Sequence, residues 1–196
     1  MSFIKNLVII VYQVLALSLI CAFLFTSVTL LKGKSSWRQL IKQWIAEFRK
    51  NNVFRCRFFL MVSVFGIMGT TLLARRIWYT PWSNMLGNFA LIRHDGKMDE
   101  DICNNILLFI PFGGFLLASR IKRIDNFIHK GQRLWLRKVL MCVAFISFGF
   151  SLAIEICQSV FWLGTFQVAD IFYNTIGGLV GGLLYFIGKV LRRRDS

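Results

Sequence analysis

The chain has 196 residues, 56% of them hydrophobic, with 24 Lys and Arg against 9 Asp and Glu, for a net charge of +15. A mean hydropathy of +0.60 with 17% charged residues excludes an ordinary soluble domain, whose apolar share is about 45–50%. The basic excess does not indicate nucleic acid, because it sits in short segments flanking apolar runs, where anionic lipid and membrane topology account for it.

The first apolar run, Leu7–Leu31, is longer than a signal-peptide core and ends in Lys32 and Lys34 without a small-residue cleavage site. It reads as a span rather than a cleaved leader. From Ser36 to Phe54, Trp37, Leu40, Ile41, Trp44, Ile45 and Phe48 recur near helical period with Lys and Arg between them. That spacing predicts a basic amphipathic helix lying on the cytoplasmic membrane surface. Further spans are predicted at Phe58–Tyr79, Ile102–Ser119, Val139–Leu163 and Ile171–Leu191, each long enough for a helix that needs roughly 17–25 residues to cross. The expected fold is all-α, a polytopic bundle of about five transmembrane helices. Residues 1–57 form an N-terminal helix and basic loop, and residues 58–196 a four-helix core.

Orientation follows from the loops. The first loop, the third (Arg120 to Lys138) and the C-terminal tail carry most of the Lys and Arg, so they are assigned to the cytoplasm. The second loop holds Asp95, Asp99, Glu100 and Asp101 beside Arg93 and Lys97, and the fourth, Gly164–Asp170, has no Lys or Arg. These two face outward, with the N-terminus outside and the C-terminus inside.

Polar groups inside hydrocarbon are costly and mark function by default. With this topology they share one depth near the outer ends of the spans. Arg75 and Arg76 end the second span, and Asn104 and Asn105 open the third; Glu155 and Gln158 end the fourth, and Asp170 and Asn174 open the fifth. Ser151, Glu155 and Gln158 lie at i, i+4 and i+7, on one helix face, and Asp170 and Asn174 are likewise one turn apart. Polar faces at one depth should turn toward each other, which predicts a water-facing cavity lined by Asn105, Glu155, Gln158, Asp170, Asn174, Arg75 and Arg76. Glu155 and Asp170 are the candidates for any catalytic role; for Asp170 a simple helix-capping role competes. Gly177 with Gly181, and Gly178 with Gly182, should let a neighbouring helix approach closely. Pro111, with Gly113 and Gly114, should break or kink the third span. Cys21, Cys56, Cys103, Cys142 and Cys157 form no C-x-x-C pair and read as small apolar helix residues. His94 and His129 have no ligand-like spacing, so neither a metal nor another cofactor is expected.

The segment Asn105-Ile-Leu-Leu-Phe-Ile-Pro-Phe-Gly113, then Ser151-Leu-Ala-Ile-Glu-Ile-Cys-Gln158, then Asp170-Ile-Phe-Tyr-Asn-Thr-Ile-Gly-Gly178, resembles the signatures of the VanZ-like family over roughly Ile67 to Phe186. The family pattern matches at Asn105, Pro111, Gly113, Glu155, Gln158, Asp170, Asn174, Gly177 and Gly178. It departs at Gly164 and Gln167, where members often carry Arg and Asp. The resemblance implies a bacterial cell-membrane protein linked to teicoplanin susceptibility. The outward polar cluster points to membrane lipids, a lipid-linked cell-wall precursor or a lipoglycopeptide as partners.

Three functions then compete. The first is a pocket that binds a lipid head group, wall precursor or lipoglycopeptide. The second is an intramembrane enzyme acting on a lipid head group or lipid-linked sugar, with Glu155 or Asp170 as base. The third, a transporter or flippase, is disfavoured, because no internal repeat is visible and the polar groups lie off the midplane.

Overall fold

A computed structural model describes residues 2–31, 36–73, 80–92, 98–121 and 135–194. Among these, the chain forms six helices and no strand beyond one isolated bridge between Ile92 and Met98. They are α1 (Ser2–Val28), α2 (Trp37–Lys50), α3 (Asn52–Met68), α4 (Glu100–Ala118), α5 (Trp135–Val160) and α6 (Val168–Arg194). A π-helical turn, Gly69–Leu73, continues α3.

Four stretches are long and apolar enough to cross a membrane: Asn52–Leu73, Glu100–Ala118, Leu136–Val160 and Val168–Lys189. The described part of α1 adds a shorter apolar helix, Val14–Val28. Large apolar side chains such as Leu24, Phe145 and Leu184 point outward along these helices. A surface so rich in exposed apolar groups belongs in lipid, and the fold is a helical membrane bundle.

The closest helix pair is α4 and α6, which meet backbone to backbone. A Cβ on Gly113 would overlap the backbone of Gly178, and one on Gly181 would overlap Ile110. Small residues let two backbones approach where lipid offers no hydrophobic drive. The two glycine pairs serve different neighbours: Gly177 and Gly181 abut α4, while Gly178 and Gly182 abut Ser147 and Val143 on α5. Beneath this seam lies the main core, including Leu60, Ile67, Phe109, Phe112, Leu116, Val143 and Ile154. α1 packs along α3, and α3 along α4.

Three sequence expectations change. α4 runs unbroken through Pro111, so Gly113 serves helix packing rather than a break. The span expected to begin at Phe58 begins at Asn52, because the Asn51 side chain accepts from the backbone N–H groups of Val53 and Phe54 and starts the helix there. Third, only half of the apolar face of α2 is free. Leu40, Trp44 and Phe48 dock on the bundle, with Trp44 stacked on Phe48 at 4.9 Å and its Nε1 donating to Thr26 Oγ1 at 3.0 Å. Trp37, Ile41 and Ile45 remain exposed. All five cysteines are free thiols.

The helices alternate in direction, which sorts their ends. α2, the start of α3 and the end of α4 share one end, where Arg57 Nε donates to the Ser119 carbonyl at 3.1 Å. The π turn, the start of α4, the end of α5 and the start of α6 share the other.

Candidate functional site

At that second end, hydrogen bonds tie four helices together. On α4, Asn105 Nδ2 donates to Asp170 Oδ1 on α6 at 2.9 Å. On α5, Glu155 Oε2 accepts the backbone N–H of Gln167, in the turn leading into α6, at 2.8 Å. Ser151, one turn before Glu155, accepts from Asn174 Nδ2 at 2.8 Å. Gln158 Nε2 donates to the Thr71 carbonyl in the π turn at 2.8 Å. A π turn breaks the regular i→i−4 pattern, and Gln158 engages a carbonyl there.

The polar groups are held in separate contacts between helices. Asn105 meets Asp170, Asn174 meets Ser151, and Gln158 and Glu155 reach backbone groups. Arg75, Arg76, Arg93, His94 and His129 lie outside the described residues. Glu155, Gln158 and Asn174 are 2%, 1% and 4% exposed, so they are packed among helices. Not every polar atom there is satisfied. Asn104 Oδ1, Gln158 Oε1, Asn174 Oδ1 and Ser147 Oγ are buried without a hydrogen-bond partner. Three of these four are amide oxygens, which can only accept.

A cover lies over this junction that the sequence did not announce. Residues 80–92 fold across the start of α6. The backbone N–H groups of Phe166, Val168 and Ala169 donate to the carbonyls of Pro81, Met85 and Leu86 at 2.8, 2.9 and 3.1 Å. Gly87, at φ +72°, makes the turn that brings these carbonyls into place. Tyr173 Oη donates to the Phe89 carbonyl at 2.7 Å. The first N–H groups of a helix lack internal partners, and here loop carbonyls supply them. Asp170, the third residue of α6, lies in its first turn, where an acid suits the helix N-terminus, and its Oδ1 accepts from Asn105. The same loop secures α4: Asn88 Nδ2 donates to Asp99 Oδ2 at 2.9 Å, and Asp99 Oδ1 accepts from Asp101 and Ile102.

Sequence reasoning did not single out Thr71 or Asn88, and it read Gln167 only as a departure from the family pattern and Asp99 only as a loop acid. Thr71 and Gln167 act through backbone groups, which leave no side-chain signature. For Asp99 a signal existed, since an acid just before an apolar helix is a preferred N-cap. Gly164 is buried, and the Gln167 side chain turns to Thr165 Oγ1 at 2.8 Å while its backbone holds Glu155.

A cavity of about 360 Å³ lies elsewhere, between α1, α3 and α4. Its lining is mostly apolar and includes none of the paired residues above.

Residues 9–189 match the VanZ/LLP1 family. Protein VanZ of Enterococcus faecium is 34% identical over 86 residues, a stretch that takes in 44% of this chain and 44% of that protein. The chain thus spans less than half of that curated relative. No solved structure matches. The family match reaches further than the expected Ile67–Phe186, because it also takes in α2 and most of α1. With four helices of membrane-crossing length and a match over nearly the whole chain, this membrane protein belongs to the VanZ/LLP1 family.

Proposed function

We propose that the junction of α4, α5 and α6 binds the polar head of a membrane lipid, a lipid-linked cell-wall precursor or a lipoglycopeptide, and that the protein thereby influences teicoplanin susceptibility at the bacterial cell membrane. The observation that carries this reading is the set of buried, unpartnered amide oxygens at Asn104, Gln158 and Asn174. A buried acceptor without a donor costs about 1–3 kcal/mol, so such a group calls for a donor. Sugar hydroxyls and peptide amides are donors of the right kind. Asp170 and Glu155 add carboxylates that hold the frame around those oxygens.

The same reading places this end outside the cell. Arg38, Lys42, Arg49, Lys50, Arg55 and Arg57 on α2 and α3, Arg120 after α4, Arg137 and Lys138 on α5, and Arg192 to Arg194 on α6 all belong to the opposite end. The positive-inside rule assigns that end to the cytoplasm, with the N-terminus outside. Binding is preferred to catalysis because Glu155, the leading candidate base, is engaged with the backbone N–H of Gln167 in the turn before α6.

The test is direct binding of lipid-linked precursor and of teicoplanin to the purified chain in nanodiscs. Glu155→Gln and Asp170→Asn should each weaken binding about tenfold or more, a loss of ~1.4 kcal/mol. Binding equal to the parent chain in both variants overturns the site.

A further inference from the structure

The cavity between α1, α3 and α4 is lined by Leu15, Phe59, Gly66, Leu107, Pro111 and Phe115, among others. On α4 its lining follows a single stripe, Leu107, Leu108, Pro111 and Phe115. Asn104 heads that stripe, since Leu107, Leu108 and Pro111 stand three, four and seven positions after it and so share its face. Its Oδ1 is buried and lacks a donor. From Asn104 to Phe115 the stripe rises by eleven residue steps, about 16 Å at 1.5 Å per residue. That is close to one leaflet of a hydrocarbon core roughly 30 Å thick.

The groove and the polar junction are joined through two pairs of adjacent residues. Asn104 heads the groove stripe, and its neighbour Asn105 bonds Asp170 in the junction. On the π turn, Thr70 lines the groove, and its neighbour Thr71 gives its carbonyl to Gln158. An apolar channel thus begins about one turn of α4 beyond the buried Asn104 acceptor.

We infer that the groove holds one hydrocarbon chain of a lipid whose hydrogen-bond-donating head group occupies the junction. This rests on the head-group reading above and narrows its ligand to an amphiphile anchored in the outer leaflet. One feature suits a chain rather than a side chain from this protein. Gly66 leaves the wall open, because an added Cβ would meet only Ser18 Oγ, at an ordinary 3.7 Å.

The test uses the full chain in nanodiscs of equal phosphatidylglycerol, whose head carries hydroxyl donors, and phosphatidylcholine, whose head carries none. Native mass spectrometry on release reads which lipid stays bound. The parent chain should retain one phosphatidylglycerol. Gly66→Leu fills the groove without touching the junction and should lower that occupancy about tenfold, the ratio given by ~1.4 kcal/mol. Ser63→Phe, at a half-buried position on the groove wall, provides a second block should Gly66→Leu fold poorly. Retention unchanged in both variants overturns the groove, while equal retention of the two lipids by the parent overturns the donor head group in the junction. Asp170→Asn separates the two proposals. If it loses lipid while the groove variants keep it, the head-group site stands and the groove falls. If the groove variants lose lipid while Asp170→Asn keeps it, the groove stands and the head-group site falls.

Discussion

Glu155 Oε2 and the backbone N–H of Gln167 lie 2.8 Å apart, joining the last turns of α5 to the segment that starts α6. The carboxylate is 2% exposed, so water cannot replace a lost partner. Leaving the part-buried Gln167 N–H without its acceptor costs about 1–3 kcal/mol. Glu155→Ala should therefore lower unfolding free energy in detergent by about 2 kcal/mol, and Glu155→Gln, which keeps an acceptor, by clearly less. Equal losses in the two variants, measured by thermal unfolding, would show that the carbonyl-type acceptor is not what holds the turn.

The α4–α6 seam makes a contrast between glycines. A methyl group on Gly181 would overlap the α4 backbone, whereas one on Gly188 meets nothing within 4 Å. Overpacking costs about 1–3 kcal/mol, while Gly to Ala in an open helix position stabilises by up to about 1 kcal/mol. Gly181→Ala should lower the melting temperature and Gly188→Ala should hold or raise it. A melting temperature unaffected by Gly181→Ala would mean that the two helices are further apart than described.

Asp99 caps α4 and is itself held by Asn88. Loss of an N-cap costs about 0.5–2 kcal/mol. Asp99→Ala should show a loss in that range, and Asn88→Ala in the same background should add little, since both act on one contact. Additive losses in the double variant would place Asn88 and Asp99 in separate interactions.

Trp44 carries the docking of α2. It meets Phe23, Phe48, Phe54 and Phe58 with ring centroids 5.1, 4.9, 5.9 and 5.3 Å away. Truncating a packed Trp costs about 3–5 kcal/mol. Trp44→Ala should free α2 from the bundle, seen as faster amide exchange from Trp37 to Lys50 than in the parent chain. Ile41→Ala, on the exposed stripe, should leave that exchange unchanged. Similar exchange in all three proteins would show that α2 is held by something other than Trp44.

Helical period in the sequence was enough to establish that this is an all-helical membrane chain and which faces are polar. A run of apolar residues must form helix in lipid to satisfy its own backbone, and residues three and four apart must share a face. Ser151 with Glu155 and Asp170 with Asn174 could therefore be read before any coordinates. Their partners could not. Thr71 and Gln167 contribute a carbonyl and an N–H that every residue possesses, so only the folded arrangement could select them. The carbonyls of residues 80–92 over the start of α6 are hidden from sequence for the same reason. Likewise, Leu40 and Ile41 look alike in sequence, and packing against α1 and α3 alone decided that Leu40 is buried and Ile41 exposed. Amphipathic period specifies an apolar face, but how wide a share of it is covered depends on the shape of the neighbouring helices.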